Sequence, residues 1–261
     1  MTTIAVCSWK GGVGKTSVVM GLASAARSRG VRTLIVDLDP QGDATFGLGV
    51  VGSDSGTLAD VIDRPKRTVL SAAIRASEWS RDGAPVDVAI GGAGLMHDDR
   101  TDLGPRETTA LRRVLAKVEA DYDVVIVDCP PSMGGLTRIG LAAADRALIV
   151  TEPGVFAVNA AERALRAVAS IREDDNPDLH LLGILVNRAR GHLSEHRYRT
   201  EELASVFGSS VLAEQIPERT AIQRAQGSFT PIHDVKDRGA REVARIFDQI
   251  LAEALPDDGK N

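Results

Sequence analysis

Short runs rich in β-branched and apolar residues alternate along this chain with longer stretches that carry apolar residues at helical spacing. That alternation restricts the fold to α/β: a mostly parallel sheet covered by helices on both faces. The runs are Ile4 to Cys7, Thr33 to Asp37, Val86 to Ile90, Val124 to Asp128, Ala147 to Val150, Leu181 to Val186 and Val211 to Gln215. Their near-continuous hydrophobicity suits strands buried on both sides. Between them, Thr16 to Arg29, Glu107 to Ala120, Asn159 to Glu173, Glu195 to Phe207 and Arg238 to Ala254 read as helices. The stretch Gly52 to Asp102 is less regular and contains Gly91-Gly92-Ala93-Gly94, so short helices and loops peripheral to the sheet are expected there, with no chemistry assigned. With 261 residues, 43% of them hydrophobic, the chain has material for one large core. We expect an open, twisted sheet in a single domain over residues 1–255 and a polar, frayed tail from Pro256 to Asn261.

Composition removes several function classes. No apolar run approaches the roughly 18 residues that span a bilayer, and the chain enters its first strand with no basic segment before it, so a cytoplasmic protein with no membrane partner is expected. Cys7 and Cys129 sit inside apolar runs without metal-ligand spacing and read as buried, reduced thiols. A formal charge of -5 provides no global attraction to nucleic acid, so such binding would need a local basic patch or dimerisation.

The first strand leads into Ser8-Trp9-Lys10-Gly11-Gly12-Val13-Gly14-Lys15-Thr16 and then directly into a helical stretch. Glycines let successive backbone N–H groups turn inward around phosphate oxygens, and the helix adds its positive end to the same place. Three glycines alone would suit an ordinary turn; Gly-Lys-Thr between strand and helix favours a phosphate loop. Lys15 would then neutralise β- and γ-phosphates, the Thr16 hydroxyl would ligate magnesium, and Ser17 would complete the nucleotide contacts of ATP. Trp9 occupies the position where the general pattern has its first glycine, and Lys10 adds a second lysine. That lysine is either a solvated loop residue or a group supplied to a neighbouring subunit's nucleotide.

Two strands end in carboxylates, where the ligand crevice of an open α/β sheet lies. In Asp37-Leu38-Asp39-Pro40-Gln41-Gly42, Asp39 is placed to orient a water at the γ-phosphate, with magnesium as an alternative role. Asp37 could serve magnesium, but hydrogen bonding to the phosphate loop is the favoured reading; turn initiation before Pro40 is the plain alternative. Asp128 closes the run Val124-Val125-Ile126-Val127 and is costly to bury ionised without a partner, which a magnesium ion would provide directly or through water. Pro130-Pro131-Ser132-Met133-Gly134-Gly135 follows as a stiff turn with flexible glycines, suited to a loop that responds to the γ-phosphate.

With the Lys10–Thr16 loop, Asp37-Leu38-Asp39-Pro40-Gln41-Gly42, Val127-Asp128-Cys129-Pro130-Pro131-Ser132 and Gln215-Ile216-Pro217-Glu218-Arg219, the chain resembles the ParA/MinD family of deviant Walker-A ATPases over nearly its whole length. The Asp-Pro-Gln-Gly and Asp-Cys-Pro-Pro-Ser versions look like small, Soj-like ParA proteins. The resemblance implies a P-loop fold, magnesium-dependent ATP hydrolysis, and an ATP-bound homodimer in which Lys10 reaches the partner's nucleotide. It further implies sequence-independent binding to duplex DNA, nucleoid association in the ATP form, and a ParB-like or cargo-adaptor partner that stimulates hydrolysis. Asn187 and Pro217 match positions that flank adenine, and Glu152 one that approaches the ribose across the dimer. Trp9, where the family carries a small polar residue, and Ser17-Val18-Val19, in place of threonines, depart from the pattern. The chain begins at the first strand, so the helix-turn-helix of larger plasmid relatives is not expected.

Arg188, Arg190, Arg197 and Arg199 give the stretch Arg188 to Arg199 a local positive charge, and Arg219 and Arg224 follow at the next helix. With the resemblance they form a candidate DNA surface; the competing reading pairs them with Glu195, Glu201 and Glu202 on a solvated face. Two other functions compete. A small-molecule kinase or amide ligase would need an acceptor pocket, for which no constellation is evident. A membrane-cycling MinD-like protein would need an amphipathic anchor, and Leu251 to Asp258 is acidic and cut by Pro256.

Overall fold

The computed structural model describes residues 1–50, 56–81 and 83–255; the expected tail Pro256 to Asn261 lies outside them. The strands are β1 (Thr2–Cys7), β2 (Thr33–Asp37), β3 (Ile74–Ala76), β4 (Val86–Ala89), β5 (Val124–Asp128), β6 (Arg146–Thr151), β7 (His180–Ala189) and β8 (Val211–Pro217). They form an 8-stranded sheet in the order β3-β4-β2-β5-β1-β6-β7-β8. Every pairing is parallel except β3 with β4. All strands expected from the apolar runs are present, and β3 is an additional edge strand within the irregular stretch.

The helices are α1 (Lys15–Ser28), α2 (Asp43–Gly47), α3 (Leu58–Asp63), α4 (Arg67–Ala73), α5 (Pro105–Thr108), α6 (Ala110–Leu115), α7 (Gly135–Ala142), α8 (Ala157–Asp174), α9 (Ser194–Phe207), α10 (Thr220–Gly227) and α11 (Arg238–Ala254). One core layer joins α1 and α11 to the sheet through Val18, Leu22, Ala25, Val243, Phe247 and Ile250. The other packs α3, α6, α7 and α8 on the opposite face through Leu58, Leu111, Ile139 and Ala164. Asp237 caps α11 by accepting from the Ala240 amide at 2.7 Å, a bond worth about 1 kcal/mol.

Two local expectations change. The continuous helix from Glu107 to Ala120 is broken at Thr109. The Thr108 and Thr109 hydroxyls donate back to the Gly104 and Pro105 carbonyls at 3.2 and 2.7 Å, a bond that competes with regular helix. Beyond Leu115 the backbone closes in tighter three-residue turns, such as Lys117 N to Val114 O. The glycines after Pro131 also do a different job from flexible hinges. Gly134 caps and Gly135 begins α7, and a Cβ on Gly135 would collide with the carbonyl oxygens of Arg100 and Asp98. Asp99 accepts from the Leu136 amide at 3.3 Å, so the irregular stretch braces the loop that follows β5.

Candidate active site

β1 lies between β5 and β6, and the loop from Ser8 to Gly14 leaves its carboxyl end to enter α1 at Lys15. Gly12 and Gly14 both have left-handed backbones, φ 79 and 85, which a side chain would oppose and which turn the loop back on itself. Val13 between them is buried in the core as an anchor. The loop is tied down from several directions: Ser8 Oγ donates to Lys10 O at 2.9 Å, Asn187 Nδ2 to Val13 O at 2.7 Å, and Arg188 Nη1 to Gly12 O at 2.6 Å.

An open cleft of about 1100 Å³ runs along this loop. Gly12, Gly14, Lys15, Thr16 and Ser17 line one side, and Asp39, Gln41, Pro131 and Arg188 border it. Lys15 is only 7% exposed, so its ammonium is presented to the cleft and little else. Ser17 Oγ accepts from Gln226 Nε2 at 2.8 Å, linking α1 to α10 at the cleft wall.

Three aspartates gather behind the loop. Asp37 and Asp128 stand in register on adjacent strands β2 and β5, and both are completely buried. Asp37 accepts from the Thr45 amide at 2.8 Å, the Thr45 hydroxyl at 2.6 Å and the Asp39 amide at 3.2 Å. Its bonds therefore order the β2–α2 connection instead of reaching the phosphate loop, which corrects the expected support role. Burial pushes the Asp37 carboxyl up to about 6 despite these donors. Asp128 Oδ2 accepts from Thr16 Oγ1 at 2.8 Å, while Asp128 Oδ1 is buried with no hydrogen-bond partner. Burial, and then the charge of Asp37, raise the Asp128 carboxyl to about 8. Asp39, 7% exposed, lines the cleft while its Oδ1 accepts from the Gln41 amide at 3.0 Å, so it serves the turn and faces the cleft at once.

Lys10 is not among this cleft's lining residues: its Nζ bonds Glu152 Oε1 of the same chain at 2.6 Å, and the side chain is 54% exposed. Trp9 beside it lies under the Arg163 guanidinium, 5.4 Å from the ring centroid. Of the two residues expected to flank adenine, Asn187 is packed under the phosphate loop, and Pro217 lines a separate depression with Arg190, Gln215 and Glu218. The candidate DNA arginines divide as well. Arg188 reaches the phosphate loop, Arg190 pairs with Glu218, Arg199 with Glu195 and Glu202, Arg219 with Glu242 and Arg224 with Asp237. Arg197 donates to the Gly191 carbonyl at 2.9 Å. Two residues that sequence reasoning left out of the cleft, Arg188 and Gln226, belong to its wall. Gln226 had no motif to mark it, and Arg188 was concealed within a basic run.

The protein-family model described as AAA domain matches residues 1–181. The sporulation initiation inhibitor protein Soj of Bacillus subtilis is 30% identical over 261 residues, covering 95% of this chain and 98% of Soj. The chain belongs to the ParA/MinD family. Among solved structures, it is similar to a protein described as cobyrinic acid a,c-diamide synthase from Mycobacterium smegmatis, crystallised with ADP and magnesium, at 30% identity and TM-score 0.79 over 96% of this chain and 94% of that one. A variant of Cyanothece McdA in complex with ATP shares the fold, with TM-score 0.84 at 20% identity over 97% and 96% of the two chains. Among the described residues no helix is long and apolar enough to cross a membrane.

Proposed function

We propose that this chain is a magnesium-dependent ATPase that acts as a positioning switch, dimerising on ATP, binding duplex DNA without sequence preference and segregating a chromosome, plasmid or other cargo. The observation that carries the nucleotide part is the unpartnered Oδ1 of Asp128, beside Thr16 and at the foot of a phosphate loop. A buried carboxylate oxygen without a donor is expensive unless a proton or cation meets it. A hard cation fits the hydroxyl and carboxylate oxygens of Thr16 and Asp128, held directly or through water. Bound magnesium would supply compensating charge to the β- and γ-phosphates.

The chain's own groups do the rest. The backbone N–H groups from Gly11 to Ser17 and the Lys15 ammonium hold the phosphate chain, and Asp39 accepts a hydrogen bond from the attacking water and orients it. Asn187 and Pro217, near the carboxyl ends of β7 and β8, would border the base. Lys10 leaves Glu152 to reach the partner's nucleotide, so closure of the dimer exchanges an intrachain ion pair for an intersubunit one. Hydrolysis, stimulated by a ParB-like or cargo-adaptor protein, removes the γ-phosphate and reverses the step. Similarity over nearly the whole chain to proteins described as chromosome-partitioning supports a partitioning or positioning output, for which we place the protein in the cytoplasm and, with ATP, on the nucleoid.

Light scattering and DNA retention with a non-hydrolysable ATP analogue test this reading. A dimer that retains unrelated duplexes is expected with the analogue, and a monomer with weak retention is expected with ADP. A monomer under both conditions, or equal retention with ATP and ADP, would overturn it. The 30% identity to the protein described as a diamide synthase favours a second reading, an amide ligase for a small carboxylic acid. Formation of an amide product with ATP, an acid acceptor and a nitrogen donor would establish that alternative.

A further inference from the structure

We propose that Arg188 is a ligand for the phosphate chain of the bound nucleotide, supplied by the same chain that provides the phosphate loop. This rests on the nucleotide-binding reading above and adds to it a second cation that acts before any partner subunit arrives.

The backbone is the first observation. Arg188 has φ 55, and among the described residues it shares a positive φ with only one other non-glycine residue, Phe229. A side chain in that region is strained, and such strain persists where the surroundings hold it and the resulting direction is useful. Arg188 lies at the carboxyl end of β7, on the side of the sheet where the phosphate loop leaves β1.

The second observation is where the guanidinium goes. Nη1 donates to the Gly12 carbonyl at 2.6 Å, and Nε lies 3.6 Å from where a Cβ on Gly14 would be. Arg188 thus spans the two left-handed glycines of the loop. It borders the same cleft as Lys15, Thr16 and Asp39. Lys15 and Arg188 are the cations among that cleft's lining residues, because Lys10 is held by Glu152.

Chemistry then separates Arg188 from its neighbours in sequence. Arg190, Arg199, Arg219 and Arg224 are each paired with carboxylates. Glu218 is close enough to feel the charge of Arg188, but it is bonded to Arg190. Arg188 instead rests on a neutral carbonyl, a weaker partner than a phosphate oxygen. A guanidinium carries five donors in a planar fork and binds phosphate oxygens in pairs with charge assistance. Exchange of the Gly12 carbonyl for phosphate oxygens would strengthen the bond and free that carbonyl as the loop closes around its ligand.

The test uses the full chain and three substitutions. R188G accepts the left-handed backbone without strain, R188Q keeps much of the length but removes the charge, and R188K keeps the charge but not the fork. Affinities for ATP and for inorganic tripolyphosphate, each with magnesium, are measured by displacement of a fluorescent ATP analogue, alongside thermal unfolding. R188G and R188Q are expected to lose about ten- to a hundredfold in affinity for both ligands. R188K should recover part of the loss, and R188G should unfold no earlier than the unaltered chain. Unchanged affinities in folded R188Q would overturn the assignment. Loss of ATP affinity with unchanged tripolyphosphate affinity would also overturn it, because the interaction would then lie at the nucleoside. Should R188G fail to fold, R188Q and R188K decide the matter by the same criteria. An unaltered chain that binds neither ligand removes the nucleotide reading and this inference together, whereas binding that is indifferent to all three substitutions removes only the inference.

Discussion

At the centre of the sheet, Asp37 and Asp128 sit side by side in complete burial, one with its oxygens occupied by Thr45 and Asp39 and the other with an oxygen that meets nothing. Along the edge made by the end of β7, β8, α10 and the start of α11, exposed arginines meet carboxylates: Arg190 with Glu218, Arg219 with Glu242, Arg224 with Asp237. Charge in the centre is scarce and incompletely compensated, so a ligand can change its energy by a large amount. Charge at the edge is abundant and solvated, and several arginines there are already paired, so each group contributes little by itself. The first pattern belongs to a site that changes state, and the second to a surface that acts by accumulation.

That contrast predicts a descending series of effects. Asp39→Ala should keep ATP binding and dimerisation but reduce turnover by about a hundred- to ten-thousandfold, the usual scale for a positioned proton acceptor. Phosphate release under single-turnover conditions measures it, and near-normal turnover would leave Asp39 only its turn-forming bond to Gln41. Lys15→Ala should lower ATP affinity by about a hundredfold or more while the protein remains folded, because a nearly buried charge facing the phosphates is deleted. Calorimetry reads this directly, and unchanged affinity would leave the cleft without a nucleotide.

Asp37→Ala should act on folding more than on nucleotide. It leaves the amide and hydroxyl of Thr45 buried without their acceptor, at a cost of about 2–4 kcal/mol in urea unfolding. A loss of ATP affinity much larger than the loss of stability would instead make Asp37 part of the ligand site. At the edge, Arg219→Ala or Arg224→Ala should change stability by less than about 1 kcal/mol. In DNA binding by the ATP-bound form, each phosphate that an arginine no longer neutralises should flatten the dependence of log affinity on log salt by about one unit, equally for all sequences. An unchanged slope after substitution of Arg190, Arg197, Arg199, Arg219 and Arg224 would mark the run as a solvated face.

Much of the fold was legible because it depends on local patterns that burial enforces. Apolar runs such as Val124 to Asp128 cannot be stable except between helices, and a Gly-rich turn between strand and helix leaves its backbone few alternatives. The break in the stretch from Glu107 to Ala120 escapes the periodicity because threonine hydroxyls can satisfy carbonyls that regular helix would use. Strand β3 escapes it because a three-residue edge strand has almost no period to detect. The glycines after Pro131 read as freedom, although the nearby carbonyls of Arg100 and Asp98 make one of them a packing requirement.

The sequence by itself determined the alternation of strand and helix, the phosphate loop with Lys15 and Thr16, and the placement of Asp39 and Asp128 at strand ends, since these follow from neighbours along the chain. Only the tertiary structure decided what the longer side chains do. It turned Asp37 toward Thr45, tied Lys10 to Glu152, left one oxygen of Asp128 alone, and sent Arg188 to the Gly12 carbonyl while Arg190, Arg199, Arg219 and Arg224 went to carboxylates. A long charged side chain can reach several partners from one backbone position. Which of them it takes depends on parts of the sheet that lie far away in sequence, and no spacing rule along the chain contains that information.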